Sequence, residues 1–114
     1  MLVGDAGNDS LYGGTGDDTL IGGAGADSLD GGTGTGDVAD YSGSSAAVNV
    51  TLGTTVSSSG GDAAGDRLTG IEYLVGSAYN DTLTGDSGAN SLSGGAGKDL
   101  LYGGGGGGKA EGGR

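Results

Sequence analysis

The residues able to do chemistry in this chain are mostly aspartates, and they recur with glycine at a fixed spacing. Gly13 to Asp30 reads GGTGDDTLI GGAGADSLD, two consecutive nine-residue units. In each, a Gly-Gly-x-Gly-x-Asp turn precedes a short segment with one large apolar residue. The unit stands before it as Gly4 to Tyr12 (GDAGNDSLY), and returns as Gly76 to Thr84 (GSAYNDTLT), Gly85 to Ser93 (GDSGANSLS) and Gly94 to Tyr102 (GGAGKDLLY). Such turns suit a hard cation. Calcium takes about six to eight oxygen ligands at about 2.3–2.6 Å from carboxylates, carbonyls and water. Glycine lets backbone carbonyls tip inward while aspartate adds charge. With no histidine or cysteine in the chain, softer metals are disfavoured, and magnesium's tight octahedral demand fits a carbonyl-rich turn less well.

Other chemistries find little support. There is no histidine for a zinc site or a triad and no aromatic cleft, so the residues predict no catalysis. The Gly-x-Gly triplets do not open a helix, which removes a phosphate-binding loop. Thr15 and Thr33 are too few for the threonine rows of an ice-binding solenoid. Tyr12, Ile21 and Tyr102 share the ninth position of their units and are expected to face outward. Formal net charge is −11, and only Arg67, Lys98, Lys109 and Arg114 are positive. Nucleic acid and anionic membrane are therefore poor partners. No apolar run approaches a membrane span.

The elements that must position the aspartates follow from the apolar residues. Leu2, Leu11, Leu20 and Leu29 sit nine apart, as do Leu74, Leu83, Leu92 and Leu101, and a period so short marks a solenoid. One unit cannot bury its leucine, but stacked units can, with turns along both edges. Composition alone, with 32 glycines in 114 residues, would predict a self-repelling disordered polymer. Leucine on a nine-residue period argues against that. Cations that neutralise the acidic turns reconcile the two, and folding energy then comes partly from metal.

Four segments are expected. Residues 1–39 hold a first repeat block, whose opening Met1-Leu2-Val3 reads as the end of an earlier repeat in a longer array. Within it, Gly31 to Ala39 (GGTGTGDVA) slips by one. Gly36 reads as an insertion that keeps Asp37 as the acidic residue, the alternative being a turn without a ligand. Residues 40–70 read as an insertion, a surface excursion with one strand over 48–52 and a Gly/Ser/Thr loop from Gly53 to Gly61. Val48, Val50 and Leu52 share one face of that strand. Asp62 and Asp66 could hold a further cation, although nothing in their spacing requires it. Residues 71–102 form a second block with Glu72 at an acidic position, and residues 103–114 a flexible Gly-rich tail.

GGTGDDTLI and GGAGADSLD match Gly-Gly-x-Gly-x-Asp-x-U-x, with U a large apolar residue, and the chain thereby resembles the repeats-in-toxin (RTX) family. The stretch GGDAAGDRLTGIEYLVGSAYNDTLTGDSGANSLSGGAG is similar to segments of large secreted bacterial RTX proteins, and the resemblance covers most of residues 4 to 102. It implies an all-β fold, a parallel β-roll (a right-handed β-solenoid) of nonapeptide repeats, with two repeats to a coil. Several calcium ions would sit between turns two units apart. The resemblance then pairs Asp9 with Asp27, Asp18 with Asp37 and Asp81 with Asp99 as metal ligands. Asn90 stands where the family has aspartate, between Glu72 and Gly108, so Glu72 and Asn90 would make weaker sites. Asp5, Asp17, Asp30, Asp40 and Asp86 lie off the ligand position and are expected to be solvated. In function the resemblance implies a non-enzymatic calcium-binding module of a secreted bacterial protein. It would leave through type I secretion and fold on Ca2+ outside the cell. Alternatives are the non-catalytic repeat region of a secreted metallopeptidase, lipase or alginate epimerase, or an adhesin or matrix spacer. Uncapped solenoid ends would permit end-to-end self-association.

Overall fold

The computed structural model describes residues 1–34, 36–52, 58–86, 88, 90–103 and 109–111. Each acidic turn feeds a strand of two or three residues, because the left-handed glycines turn the chain and the residues after the aspartate run extended. Gly14 and Gly16 have φ of 86° and 89°, and Gly23 and Gly25 have 80° and 104°, a region open to glycine at no steric cost. Asp5 takes the equivalent place in the first unit at φ 68°.

The strands are β1 (Leu2–Val3), β2 (Ser10–Tyr12), β3 (Thr19–Ile21), β4 (Ser28–Asp30), β5 (Val38–Asp40), β6 (Asn49–Thr51), β7 (Arg67–Thr69), β8 (Tyr73–Val75), β9 (Thr82–Thr84), β10 (Ser91–Ser93), β11 (Leu100–Tyr102) and β12 (Lys109–Glu111). Among the described residues every strand pairing is parallel. One sheet runs β1-β3-β5-β8-β10-β12, and two three-stranded sheets run β2-β4-β7 and β11-β9-β6. Strands β1 to β5 and β8 to β12 thus alternate between the long sheet and the shorter ones, while β6 and β7 both lie in the shorter ones. Leu2 pairs with Leu20, Leu11 with Leu29, Leu74 with Leu92 and Leu83 with Leu101. Two nonapeptides make one coil, and the fold is the expected all-β parallel β-roll.

The leucine period becomes the core. Leu20, Leu29, Leu68, Leu74, Leu83 and Leu92 are buried, joined by Val48, Val50, Ala39 and Tyr41, while Leu2, Leu11 and Leu101 pack half-buried against them. Each fully buried leucine contributes about 1.5–3 kcal/mol of apolar burial. Among the described residues no helix is long and apolar enough to cross a membrane.

Residues 40–70 differ from a surface excursion. The strand expected over 48–52 spans Asn49–Thr51, with Val48, Val50 and Leu52 buried. It takes a place in the roll beside β9. A second strand, β7, pairs with β4, because Asp66-Arg67-Leu68 repeats the Asp-x-Leu pattern of the regular units. Between the two, Asn49 and Ser59 exchange amide-to-carbonyl bonds of 2.8 and 2.9 Å in an antiparallel bridge. A 3-10 turn follows at Gly61–Ala63. Of the loop expected over Gly53 to Gly61, residues 53–57 lie outside the described residues.

The expected flexible tail is also corrected in part. Lys109–Glu111 form β12 and pair with Ser91–Ser93 of β10. The eighteen-residue offset of a coil is preserved there, and backbone pairing needs register more than it needs leucine. Residues 104–108 and 112–114 lie outside the described residues.

Candidate metal centre

Stacking the turns in register brings the aspartates into columns along the two edges of the roll. The Asp9 amide donates to Asp27 Oδ1 at 2.9 Å, and the Asp27 amide to Asp66 Oδ1 at 2.6 Å. On the other edge the Asp18 amide donates to Asp37 Oδ1 at 2.8 Å, and the Asp37 amide to Glu72 Oε1 at 2.9 Å. A third run joins the Val48 amide to Asp81 Oδ1 at 2.9 Å and the Asp81 amide to Asp99 Oδ1 at 2.8 Å. The pairs Asp9–Asp27, Asp18–Asp37 and Asp81–Asp99 are therefore neighbours in space. The Gly36 insertion leaves Asp37 fully buried and in register with Asp18.

Each column bond uses one carboxylate oxygen. The second oxygens of Asp9, Asp18, Asp27, Asp37 and Asp99 are buried and have no hydrogen-bond partner among the described residues. A buried polar atom without a partner costs about 1–3 kcal/mol, and more when charged, so these oxygens call for a counter-charge. The first glycine of each unit leaves room for them. A Cβ on Gly4 would lie 2.7 Å from Asp9 Oδ2, and one on Gly13 would lie 2.7 Å from Asp18 Oδ2. Turn carbonyls also face the next coil: a Cβ on Gly23 would meet the Asp5 carbonyl at 2.6 Å, and one on Gly97 the Tyr79 carbonyl at 2.6 Å. Bare carboxylate oxygens and stacked carbonyls are a hard, all-oxygen donor set that fits calcium. Among the described residues no three acidic, histidine or cysteine side chains converge on one point. Carboxylates therefore arrive in pairs, and carbonyls or water must complete the shell.

Three positions depart from this pattern. Asp66 Oδ2 accepts the Tyr41 hydroxyl at 2.7 Å. Asp81 Oδ1 accepts the Ser77 hydroxyl at 2.5 Å, and its Oδ2 accepts the Ser77 amide at 2.8 Å. Asn90 turns into its own loop, where its amide donates to Asp86 Oδ1 at 2.9 Å and the Gly88 carbonyl at 2.8 Å. Burial raises the carboxyls of Asp27, Glu72 and Asp81 above the usual carboxylate range. It pushes Asp66 up to about 6, partly opposed by the Asp27 amide and the Tyr41 hydroxyl. Burial, then the Asp66 charge, raises the Tyr41 phenol as well.

The off-column aspartates serve the backbone. Asp30 accepts the Gly32 amide at 2.9 Å, Asp40 the Ser42 amide at 2.8 Å, Asp86 the Gly88 amide at 2.8 Å and Asp17 the Gly36 amide at 3.1 Å. Asp5 is exposed. Sequence reasoning missed Asn8 and Asn80, whose side-chain oxygens accept the Ala26 and Lys98 amides at 2.9 and 2.7 Å, one coil away. It also missed Asp66 as a column member, although the Asp66-x-Leu68 spacing carried that signal. Nothing in the sequence pointed to Tyr41.

Paired carboxylates and glycine carbonyls stacked along the edges of a parallel β-roll define a cation-braced structural repeat. The chain belongs to the RTX calcium-binding nonapeptide repeat family, whose model matches it in four copies, over residues 3–38, 68–101 and 75–108. The repeats of this family bind Ca2+ and are not themselves catalytic. No curated protein matches the chain.

Proposed function

We propose that the chain is a calcium-folded structural module of a secreted bacterial protein, without catalysis of its own. The observation that carries this reading is the set of five buried carboxylate oxygens with no partner among the described residues, distributed over the stacked turns. Asp9, Asp18, Asp27, Asp37 and Asp99 are the principal ligands, Asp81 supports Asp99, and Glu72 and Asn90 make weaker positions. Bound calcium supplies the positive charge that offsets the desolvation of these groups. Because the unfolded chain cannot present the ligands together, binding energy becomes folding energy. The chain is then unfolded where calcium is scarce, as in a cytosol awaiting secretion, and rigid outside the cell. The family's association with secreted bacterial proteins supports that placement.

Far-UV circular dichroism during a calcium titration from chelator tests it, with magnesium as the control. The expected result is a cooperative change from a coil-rich to a β spectrum, with calcium preferred. A full β spectrum in chelator that calcium leaves unchanged would sink the proposal.

A further inference from the structure

The bare carboxylate oxygens and the apolar core occupy different parts of the chain. All five bare oxygens, on Asp9, Asp18, Asp27, Asp37 and Asp99, lie outside residues 39–83. Among the described residues, ten of the thirteen buried hydrophobic residues, from Ala39 to Leu83, lie inside it. Within that stretch the two fully buried column carboxylates, Asp66 and Asp81, have protein donors on both oxygens, while half-buried Glu72 accepts the Asp37 amide on one. Asp66 takes the Asp27 amide and the Tyr41 hydroxyl, and Asp81 takes the Val48 amide and both Ser77 donors. Val48 puts an apolar side chain where the regular turns put aspartate. Ser44, also buried, ties the 3-10 turn back by accepting the Asp62 amide at 3.0 Å and donating to the Ala46 carbonyl at 2.8 Å.

We infer that the described residues of 39–83 form a calcium-independent joint, closed by Tyr41–Asp66 and Ser77–Asp81, from which the two flanking runs of turns fold when the ion binds. The inference rests on the calcium-folding reading and divides it by segment. With the flanks unfolded Asp66 still holds the Tyr41 hydroxyl, and Asp81 the Val48 amide and both Ser77 donors. Where such internal donors and the core are concentrated, the coils hold without the ion. Outside it the turns that end in Asp9, Asp18, Asp27, Asp37 and Asp99 carry an oxygen that only a cation satisfies, over a core of few residues. The joint also presents the strand edges of β5, β7, β8 and β9 as templates for the flanking coils. Calcium then propagates a stack that already exists, which avoids nucleating one.

Hydrogen–deuterium exchange of the whole chain, read by peptide in chelator and then in millimolar calcium, tests this directly. The expected result is slow exchange in chelator over β6 to β9 and fast exchange over β2 to β4 and β11, with calcium extending protection to both flanks. Fast exchange everywhere in chelator, with protection everywhere in calcium, would overturn the joint and leave the calcium-folding reading standing. Protection everywhere in chelator, unchanged by calcium, would overturn both. Tyr41→Phe keeps the ring and removes the hydroxyl, and Ser77→Ala does the equivalent at Asp81. Each should speed central exchange in chelator by about tenfold or more, with Tyr12→Phe, at an exposed tyrosine, as the unaffected control. Unchanged central protection in both variants would overturn the joint as drawn.

Discussion

Asp27 donates its amide hydrogen to Asp66 Oδ1 at 2.6 Å across thirty-nine residues of chain, whereas Asp9 reaches Asp27 by the same bond across eighteen. The column is indifferent to the length of chain between its members and sensitive only to coil register. The intervening stretch uses the extra length to lay β6 against β9 before returning to place β7 against β4. What interrupts the repeat in sequence is thus absorbed by the roll in space.

The first glycine of each unit should be as important as its aspartate. In Gly13→Ala the added Cβ would stand 2.7 Å from Asp18 Oδ2 and 2.8 Å from the Gly31 carbonyl, and the carbonyl belongs to a stacked coil that cannot withdraw alone. A loss of about 1–3 kcal/mol is expected from overpacking, with a weaker calcium midpoint. Gly43→Ala, where an added Cβ meets nothing within 4 Å, should be neutral. Urea unfolding in saturating calcium separates the two, and equal midpoints would count against the cradle.

Much of this was legible in the sequence because side-chain chemistry and backbone register share one period. Glycine at the first, second and fourth places, aspartate at the sixth and leucine at the eighth each answer a separate steric or polar demand of a stacked turn. The period pointed to a solenoid, and the pairs Asp9–Asp27, Asp18–Asp37 and Asp81–Asp99, implied by the resemblance to RTX repeats, are neighbours in the stacked turns. Legibility failed where the period no longer governs. Tyr41 reaches Asp66 across twenty-five residues, a contact set by tertiary folding alone. Asp66 is separated from its column by a non-repeating stretch that hides the shared Asp-x-Leu spacing. Lys109–Glu111 keep the coil offset without leucine or aspartate, so the residue pattern was silent while the backbone stayed in register.

Leu68 shows how much the irregular stretch adds. It is fully buried and aligned with Leu29 across the β4–β7 pairing, although it lies outside the clean repeats. Leu68→Ala should cost about 2–5 kcal/mol, the range for a core leucine truncation. Leu100→Ala, at a residue 58% exposed, should change stability by less than about 0.5 kcal/mol. Denaturant midpoints in calcium read both. A neutral Leu68→Ala would mean that residues 67–69 sit on the roll without contributing to it.

Acid should act in opposite directions on the metal-free fold and on calcium binding. Burial raises Asp66 to about 6 and moves Asp27, Glu72 and Asp81 the same way, while an unfolded aspartate titrates near pH ~4. Between those values the metal-free folded state holds protons that the unfolded chain has released. Its stability is therefore greatest below about pH 4 and falls as pH rises towards 6. Calcium must displace the proton that burial helps Asp27 to keep, so its apparent affinity should increase as pH rises through that window. Urea midpoints of the central strands in chelator should be higher at pH 5 than at pH 7, and the calcium midpoint should require more ion at pH 5. The reverse order in chelator would mean that the carboxylates are not desolvated.

Charge and hydrogen bonding can be separated at Asp27, which sits in mid-column with one oxygen bonded and the other bare. Asp27→Asn retains a carbonyl oxygen for the Asp9 amide, so the backbone register survives, but the amide nitrogen cannot ligate calcium and the charge is gone. Because calcium affinity follows ligand charge, the calcium midpoint should weaken by about tenfold, equivalent to about 1.4 kcal/mol. Asp40→Asn, at a residue whose oxygen accepts only the Ser42 amide, should leave the midpoint unchanged despite the same loss of charge. The comparison distinguishes a specific ligand from general neutralisation of an acidic chain. Equal weakening in both variants would show that calcium responds to net charge, whereas loss at Asp27 alone assigns the ion to the column of stacked turns.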